Sequence, residues 1–417
     1  MATVLLEGFE GGLHATSGWI GGTPYTPSTS VKRTTLLGRG GDWSAQFTGG
    51  TSFRLFPTNA DTNQPLQIRE AYIAFAKRRI ANNDNWGQFG MSRNGGVWAS
   101  VNLATAGANL VRAQRGDTIL DSATLPLDGT TIYLFQARMF AGGVGAGSIT
   151  IRSGAGAPLL EVTGVDTAGA LPYFTGIYNR VWTAAAWIDD VTVQAPSIRF
   201  KNVVTSDRPA INTVLTGLTS GAEVLVSEAE LARNRVWVHS WNGVPFIDGE
   251  DFQAGSLIAA IDAPNANFVN GFEPNSFWPQ GVPFIIAAQP TTNVSTDMTP
   301  QPPGSNVDNI NQIPEDPNTF NLATSATPEE DAYGGLGLPH WVGEIYAVAP
   351  DPYGGSDGGS YTDMTVTLEE TTGSQDHTVP LVTTEARSQF TFDLRADNTA
   401  WDPSDFPSVV VKYKMEI

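Results

Sequence analysis

Apolar and polar residues alternate in short runs through most of the first 194 residues of the chain. The runs include "TVLLEGF", "AYIAFAKRRI", "TIYLFQARMF" and "AWIDDVTVQ". Because a period of two places successive side chains on opposite faces of an extended strand, each run predicts a half-buried β-strand. The sequences "RNGG", "LDGT" and "GGVGAG" separate such runs and are typical of tight turns. Many short strands with no helical period between them predict an antiparallel sandwich or jelly roll.

Residues 197–288 form a second section, which we predict to be a small β-rich domain. Between two strand-like runs stands "SEAELARN", in which Ser227 and Glu230 have the spacing of a capping box and predict a short helix. The pentapeptide "GVPFI" occurs twice, at 243–247 and at 281–285, each time shortly after a tryptophan. This repetition hints at a duplicated strand, but five residues are too few to establish a repeat.

The segment 289–332 has a different composition, with seven prolines in 44 residues and no hydrophobic period. Such a segment does not bury a core of its own, so we predict an extended linker or an arm that becomes ordered against a neighbour. Residues 333–417 return to strand patterns and predict an acidic C-terminal β-domain. The predicted fold is therefore all-β. It consists of a jelly roll (1–196), the small β-rich domain, the proline-rich arm and a smaller C-terminal β-sandwich.

Charge divides the chain into two unequal halves. Residues 1–196 contain 14 Lys and Arg against 13 Asp and Glu, a net charge of +1, whereas residues 197–417 contain 9 against 29, a net charge of −20. From Val236 to Ala386 there are 20 acidic residues and neither lysine nor arginine. Such a surface repels nucleic acid and favours divalent cations or basic partners, although a generally acidic surface suited to a salty habitat is an alternative explanation.

Seven motifs follow one another in the first half: "LLEGFEGG", "LLGRGGDWSAQF", "REAYIAFAKRRI", "GQFGMSRNGG", "TLPLDGTTIYLFQARMF", "SITIRSGAGAPLLEVTGVDT" and "AAWIDDVTV". In this order they resemble the concanavalin A-like (laminin-G-like) jelly-roll domains of bacteriophage virion proteins. The resemblance covers residues 1 to about 194. It implies a sandwich fold and a place in a virus particle, in a tail fibre, a spike or a decoration of the head.

The acidic pair Asp189 and Asp190 lies inside the last of these motifs. Neighbouring side chains of a strand point to opposite faces, so we do not expect both carboxylates to converge on one substrate, as glycoside hydrolysis requires. We expect them to bind turn or edge amides instead. The Glu-x-Asp-x-x-Glu pattern of jelly-roll glycosidases is missing from the sequence. The sequence therefore predicts no catalytic residues and no enzyme.

The loop "PDPYGGSDGGSYTD" is the candidate metal site. Asp351, Asp357 and Asp363 recur every six residues among glycines and could wrap a calcium ion, although a solvated turn explains the same pattern. In the loop, "GGSDG" matches the Gly-x-Ser-x-Gly hydrolase pattern but lacks the strand before it and the helix after it. Ser356 is therefore a poor nucleophile. Beyond this optional structural calcium, we expect no cofactor.

The function that these observations favour is that of a non-enzymatic virion structural protein, exposed on the particle and bound to other virion proteins and to copies of itself. The chain lacks cysteine, a recognisable signal peptide and a long apolar run. We therefore expect synthesis in the host cytoplasm without membrane insertion. Two alternatives stay open. One is an adhesin for a host surface glycan, for which Trp86, Trp98, Trp341, Tyr346 and Tyr353 are candidate contacts. The other is a polysaccharide-degrading enzyme.

Overall fold

The structure is a computed structural model of the full chain. It describes the following residues: 2–8, 20–21, 31–34, 44–47, 50–79, 87–94, 100–106, 110–124, 131–142, 146–153, 157–168, 171–181, 186–204, 207–247, 249–261, 285, 288–301, 303–310, 320–323, 327–338, 342, 345, 347–350, 353–354, 361–381, 386–387, 391–392, 395–397 and 399–417. These residues fall into two compact units, one ending at Ile285 and one running from there to the C-terminus.

The first unit begins with a sandwich of two antiparallel sheets, as the alternating pattern predicts. The strands of the eight-stranded sheet A are β1 (Ala2–Glu7), β3 (Val31–Thr34), β4 (Ser44–Phe47), β6 (Glu70–Arg79), β11 (Ile132–Phe140), β12 (Ala146–Ser153), β13 (Pro158–Asp166) and β15 (Ala186–Ala195). Those of the seven-stranded sheet B are β2 (Ile20–Gly21), β5 (Gly50–Leu55), β7 (Gly87–Ser92), β8 (Ser100–Ala106), β9 (Leu110–Arg115), β10 (Thr118–Thr124) and β14 (Gly176–Val181).

Sheet A has the order β13-β12-β11-β6-β15-β4-β3, with β1 also paired to β15, and sheet B has the order β10-β9-β8-β7-β14-β5-β2. The core lies between the two sheets. Phe75 of β6 stacks on Phe135 of the neighbouring strand, with ring centroids 4.9 Å apart, and meets Phe89 of sheet B at 4.4 Å. These contacts join the two layers, because aromatic rings bury large areas and hold defined geometries. The all-β fold class predicted from the sequence is confirmed.

A closed six-stranded barrel follows the sandwich directly. Its strands are β16 (Ser197–Val203), β17 (Val214–Gly217), β18 (Glu223–Glu230), β19 (Arg235–His239), β20 (Asp251–Ala254) and β21 (Leu257–Ile261), in the order β16-β19-β18-β17-β20-β21. The barrel has a hydrophobic core of its own, which includes Phe200 and Phe252. The barrel occupies residues 197–261 of the section 197–288 that was predicted to be a small β-rich domain.

The short helix predicted at the start of "SEAELARN" is wrong. Ser227 and Glu230 belong to strand β18, and only a single 3-10 turn, Leu231–Arg233, follows them. Their side chains do not cap a helix. Ser227 lies 3.0 Å from Nδ1 of His239, and Glu230 accepts the indole proton of Trp237. Pairing with β17 and β19 therefore overrides the local capping signal. The predicted strand at the first "GVPFI" is also wrong, because 243–247 is a loop.

The second unit is built around a five-stranded antiparallel sheet of order β22-β25-β30-β27-β28. Its elements are β22 (Thr292–Thr296), β23 (Thr299–Gln301), α1 (Asn306–Ile310), β24 (Phe320–Leu322), β25 (Glu329–Gly334), β26 (Tyr353–Gly354), β27 (Asp363–Glu370), β28 (Gly373–Pro380), β29 (Ala386–Arg387) and β30 (Val410–Glu416). Leu368, Trp401 and Phe406 belong to its core.

The described part of segment 289–332 differs from the expected linker or arm. It supplies the edge strand β22, the pair β23 and β24, the helix α1 and the start of β25. The organising group is Asp331, which is fully buried. Its Oδ1 accepts the backbone amides of Asp297 and Met298 at 2.9 and 3.0 Å, and its Oδ2 accepts the Asn306 and Asn321 side-chain amides and the Tyr333 hydroxyl. These hydrogen bonds to Asp331, which we call the hub, order a segment that has no hydrophobic period.

No helix in the described part of the chain is long and apolar enough to cross a membrane.

Candidate functional site

Charged and hydrogen-bonded side chains cluster in the first unit where the sandwich meets the barrel. We call this contact the seam. On the sandwich side it consists of the loop from Pro57 to Arg69 and the strand residues Glu70, Tyr72 and Arg138, and on the barrel side of Arg208, Asn212, the strands β18 and β19, the Leu231–Arg233 turn and Ser240. Asn59 is fully buried and donates to the carbonyl of Ala229 at 2.9 Å. Hydrogen bonds therefore hold the loop on the barrel.

Three carboxylates carry most of the backbone contacts across the seam. Asp61 accepts the amide of Ala232 at 2.8 Å and that of Leu231, so a sandwich side chain caps the 3-10 turn of the barrel. Glu230 accepts the amide of Ala60 in the opposite direction. Glu228 accepts the amide of Gln67. Each carboxylate thus binds backbone of the other domain.

Burial shifts the proton affinity of Glu228. The side chain is almost completely buried, and this desolvation raises its pKa to about 7, against the opposing effects of the Gln67 amide and of Arg208, whose Nη2 lies 2.9 Å from Oε1. Glu70 is also buried, and desolvation raises the pKa of Glu70 although Arg138 forms an ion pair with it at 2.7 Å. Both shifts follow from moving a charge out of water.

His239 lies in the same seam. Its ring faces the hydroxyl of Ser227, and burial together with the positive charge of Arg69 lowers the pKa of His239 to about 4. The neutral ring is therefore the stable form in the folded protein at neutral pH. Arg69 donates to Asn212 of the barrel and to the carbonyl of Ala141, which fixes its position between the two domains.

The pair Asp189 and Asp190 lies on β15 at an irregularity in its pairing with β6. Asp190 has a positive φ of 50°, so the strict alternation expected of a strand does not hold there. Both side chains are buried. Asp189 accepts the amide of Asp190 at 2.8 Å, and Asp190 accepts the amide of Ile285 at 2.8 Å. The pair therefore shapes a bulge and holds a distant segment, as expected of groups that bind amides.

A glycine completes this attachment. A Cβ atom on Gly8 would lie 2.6 Å from Cγ2 of Ile285, closer than real Cβ contacts allow. Gly8 belongs to the "LLEGFEGG" motif, and the absence of a side chain lets Ile285 pack directly against the first strand. The early motif and the closing acidic pair thus meet at one docking point for residue 285.

Sheet B carries a relay of polar side chains, all of them buried. The Tyr178 hydroxyl donates to Oε1 of Gln88 at 3.0 Å, and Nε2 of Gln88 donates to Oε1 of Gln114 at 2.6 Å. Residues next to them in sequence, such as Phe89, Ala113 and Ile177, belong to the sandwich core, so the relay faces away from it. Tyr178, Gln88 and Gln114 are at most 6% exposed, so the relay is not open to a sugar in this structure.

The proposed metal ligands are not brought together within the described residues. Asp351 and Asp357 lie outside them, and so do Ser356, Trp86, Trp98, Trp341 and Tyr346. Asp363 begins β27 and accepts the hydroxyl of Thr362 at 2.8 Å. In the part of the chain that the structure describes, no group of three His, Asp or Glu side chains could hold a metal ion. The calcium site therefore stays a prediction.

Sequence reasoning missed the seam and a buried lysine. Lys77 lies on β6, where alternate residues such as Ile73 and Phe75 face the sandwich core, and burial lowers its pKa to about 7. The only available signal was the position of a lysine at the apolar phase of "AYIAFAKRRI". For Glu228 and His239 no local signal of a place in the seam existed, because the sandwich residues that act on them, Gln67 and Arg69, are more than 150 residues away in the chain.

No protein-family model matches the chain, and no curated protein matches it in sequence. Solved structures with a similar β arrangement include domain 4 of the extracellular arabinanase AbnA from Geobacillus stearothermophilus, solved with arabinotriose (12% identity, 46% of this chain and 93% of that chain, TM-score 0.25). Lectin I-B4 from Griffonia simplicifolia is another (8% identity, 43% and 93%, TM-score 0.28). A third is the CBM2 module of the evolved Dit protein of Lactobacillus casei BL23 phage J-1 (12% identity, 46% and 94%, TM-score 0.28). TM-scores this low support no transfer of ligand or activity.

Proposed function

We propose that the chain is a non-enzymatic structural component of a bacteriophage particle, exposed on its surface as part of a tail fibre, a spike or a head decoration, and assembled with copies of itself. The ordered sequence motifs of the first half support the virion assignment. They fall on β1, β4, β6, β7, β11 to β13 and β15 of the sandwich.

The observation that carries the proposal is the use of carboxylates, all of them buried except Asp61, as connectors. Asp61, Glu228 and Glu230 bind backbone amides across the seam, Asp190 binds the amide of Ile285, and Asp331 binds the two amides that directly follow β22. A carboxylate that accepts hydrogen bonds from fixed backbone amides is held in one orientation. Such groups stiffen a particle component, and they do not offer a free acid and base to a substrate.

The charge distribution supports an outward-facing second half. The stretch from Val236 to Ala386 carries 20 acidic residues without lysine or arginine. Because like charges repel, this portion avoids packaged DNA. The protein would be made in the host cytoplasm and would reach its site by assembly.

Mass spectrometry of gradient-purified particles tests the assignment. The chain should remain with the particle through the gradient at a fixed molar ratio to the capsid protein. Its absence from particles, with the chain free in the lysate, would reject the proposal. An assay for reducing sugar released from host capsule tests the enzymatic alternative, and we expect no release.

A glycan-binding adhesin is the second candidate, supported by the aromatic residues that the sequence offers as sugar contacts, Trp86, Trp98, Trp341, Tyr346 and Tyr353. A glycan array with the full chain tests this function. If one of these aromatic residues contacts sugar, its replacement by alanine should abolish any signal that the wild type gives, whereas Gln253→Ala, an exposed glutamine of the barrel, should retain it. A wild-type chain that binds no glycan would leave the structural role alone.

A further inference from the structure

The sheet of the second unit ends at strand β22, which is exposed along its whole length. β22 pairs with β25 on one side, and no strand of the described residues pairs with it on the other. All five of its residues are exposed. An edge strand presents a row of backbone N–H and C=O groups with which another chain can pair. β22 is therefore a candidate site for the addition of a strand.

The composition of β22 sets it apart from the other edge strands. Soluble proteins protect the edges of their sheets with charged residues and prolines. Every other edge strand of four or more residues in the described sheets carries a charged residue: Lys32 in β3, Asp121 in β10, Glu161 in β13 and Asp376 in β28. β22, with the sequence "TNVST", contains neither a charge nor a proline. This edge is open to pairing where the others are protected.

An apolar side chain lies at the centre of this neutral edge. Val294 is 58% exposed, more than any other large apolar side chain among the described residues of the second unit. A Cβ on Gly334 of β25 would lie 3.2 Å from Cγ2 of Val294, so Val294 lies beside the backbone of the sheet. An exposed apolar residue on an uncharged edge strand is the combination that favours pairing with another strand.

Hydrogen bonds hold β22 in place at both ends. Before the strand, the amide of Thr291 donates to the carbonyl of Gly334 at 3.0 Å, and after it the hub accepts two amides. Within the strand, Oδ1 of Asn293 accepts the amide of Val307 at 2.8 Å. The edge is thus ordered before a partner binds, and a preorganised surface loses little conformational entropy on association.

The sequence of β22 is nearly the same in both directions. Thr-Asn-Val-Ser-Thr reads backwards as Thr-Ser-Val-Asn-Thr. In an antiparallel pair of two copies centred on Val294, this residue lies opposite its own copy. Thr292 then lies opposite Thr296, and Asn293 opposite Ser295. Pairs of β-branched residues and pairs of hydroxyl residues stabilise neighbouring strands. The partner that matches this edge is consequently a second β22.

Charge favours the same partner in the same register. The nearest charged residue along the chain is Asp297, three positions from Val294. In the antiparallel pair the two copies of Asp297 are six positions apart, about 20 Å along the strands, which exceeds the Debye length of about 8 Å at physiological salt. Pairing with the opposite edge, β28, would instead place β22 against Asp376 and against Pro380, which has no N–H to donate.

We propose that two copies of this chain associate through β22, with the two strands antiparallel and a two-fold axis through Val294. The two five-stranded sheets then form one sheet of ten strands. The register of β22 with β25 shifts between Asn293 and Ser295, and the axis brings the bulges of both copies to the same point. A two-fold contact uses the same surface on both copies, so it closes at two. The inference deepens the proposed self-assembly and rests on it.

Sedimentation velocity of the full chain tests the contact by exchanging charge at its centre. The wild type should form dimers as its concentration rises. Val294→Lys and Val294→Glu each place like charges opposite each other, so the dissociation constant of either dimer should rise at least about tenfold. An equimolar mixture of the two variants pairs a lysine with a glutamate, and it should form one-to-one dimers at wild-type concentrations.

The matched controls are Leu159→Lys and Leu159→Glu, since Leu159 is 50% exposed on the edge strand β13 of the sandwich. Both should dimerise as the wild type does. All four variants should melt at the wild-type temperature, because each replaced side chain is exposed.

A cysteine at the centre tests the register independently. The chain contains no cysteine, so Val294→Cys supplies one thiol per copy. Residues directly opposite in an antiparallel pair have Cα atoms about 4.5 to 5.5 Å apart, and a disulfide spans about 4.4 to 6.8 Å. Oxidation should therefore join Val294→Cys into covalent dimers, whereas Leu159→Cys should remain largely uncrosslinked.

The outcomes separate the contact from the proposed function. Single charge variants that assemble as the wild type does, a mixture that stays monomeric, or equal crosslinking of Val294→Cys and Leu159→Cys would overturn the contact and leave self-assembly standing. A wild type that is monomeric at every concentration overturns both the contact and the proposed self-assembly in solution. Absence of the chain from purified particles overturns the virion function alone.

Discussion

The replacement Asp331→Asn tests whether a buried carboxylate organises the segment predicted to be a linker. The side chain keeps its size, so the change removes charge and one acceptor without leaving a cavity. In the wild type, Oδ2 accepts Nδ2 of Asn306 at 2.7 Å, Nδ2 of Asn321 at 3.2 Å and the Tyr333 hydroxyl at 2.7 Å. An asparagine in this place can adopt two orientations. In one its NH2 group faces these three donors, and in the other it faces the backbone amides of Asp297 and Met298. In both, donors face a donor.

The expected loss follows from these contacts. A hydrogen bond to a charged group contributes about 1.5 to 3 kcal/mol, and a buried donor left without an acceptor adds a similar cost. Asn306 and Asn321 both lose an anionic acceptor, whereas the Tyr333 hydroxyl can rotate. We therefore expect local opening of β22 to become easier by about 3 to 5 kcal/mol. Hydrogen exchange of the amides concerned should accelerate at least about a hundredfold.

Hydrogen exchange followed by mass spectrometry on the full chain measures this effect. The amides of Asp297 and Met298, which bond to Asp331 in the wild type, should lose protection. The peptides of the barrel should keep theirs. Asp308→Asn, an exposed aspartate on α1, is the matched control and should change nothing. Unchanged protection at Asp297 and Met298 in Asp331→Asn would refute the role of the hub.

Four further results are expected. Because folding raises the pKa of Glu228 to about 7, the stability that it contributes is complete below pH 4.5 and is lost as the pH rises through 7. The free energy of unfolding, measured by chemical denaturation, should therefore depend less on pH in Glu228→Gln than in the wild type. The same pH dependence in both would contradict this. Folding lowers the pKa of Lys77 to about 7, so the stability linked to its neutral form is lost as the pH falls through 7. Lys77→Met should abolish this loss, whereas Lys201→Met, at an exposed site, should preserve it. Gly8→Val should expose the Ile285 segment to proteolysis, since a Cβ meets Ile285 at 2.6 Å; an unaltered digestion pattern would count against the docking point. Millimolar calcium should raise the melting temperature if the loop 351–363 binds it, and an unchanged melt would reject that site.

The sandwich could be predicted because each of its strands shows the alternation of apolar and polar residues within its own sequence. Each run such as "TIYLFQARMF" carries its own period, and the neighbouring strand only has to match it. Phe135 and Phe75 are at apolar phases of their strands and face each other in the core. The expectation that Asp189 and Asp190 bind amides also followed from local pattern, although the bulge at Asp190 changes the direction of its side chain.

The rest depends on residues that are distant in the chain. Ser227 and Glu230 match a capping box, but β17 and β19 pair with their strand, and no local signal announces this. The polar segment around Asn306 has no hydrophobic period, and hydrogen bonds to the distant Asp331 order it instead. The seam could not be predicted for the same reason, because Asp61 binds the amides of Leu231 and Ala232, which lie about 170 residues further along the chain. Composition cannot encode such pairings.

Immunogold electron microscopy of intact particles tests the central claim most directly, with an antibody raised against the exposed hairpin of β27 and β28. If the chain is an exterior structural component, gold should mark intact particles at regularly repeated positions on the tail or the head. Particles from a host in which the gene is deleted should carry no label. Label that appears only after the particles are disrupted, or never appears, would contradict the account.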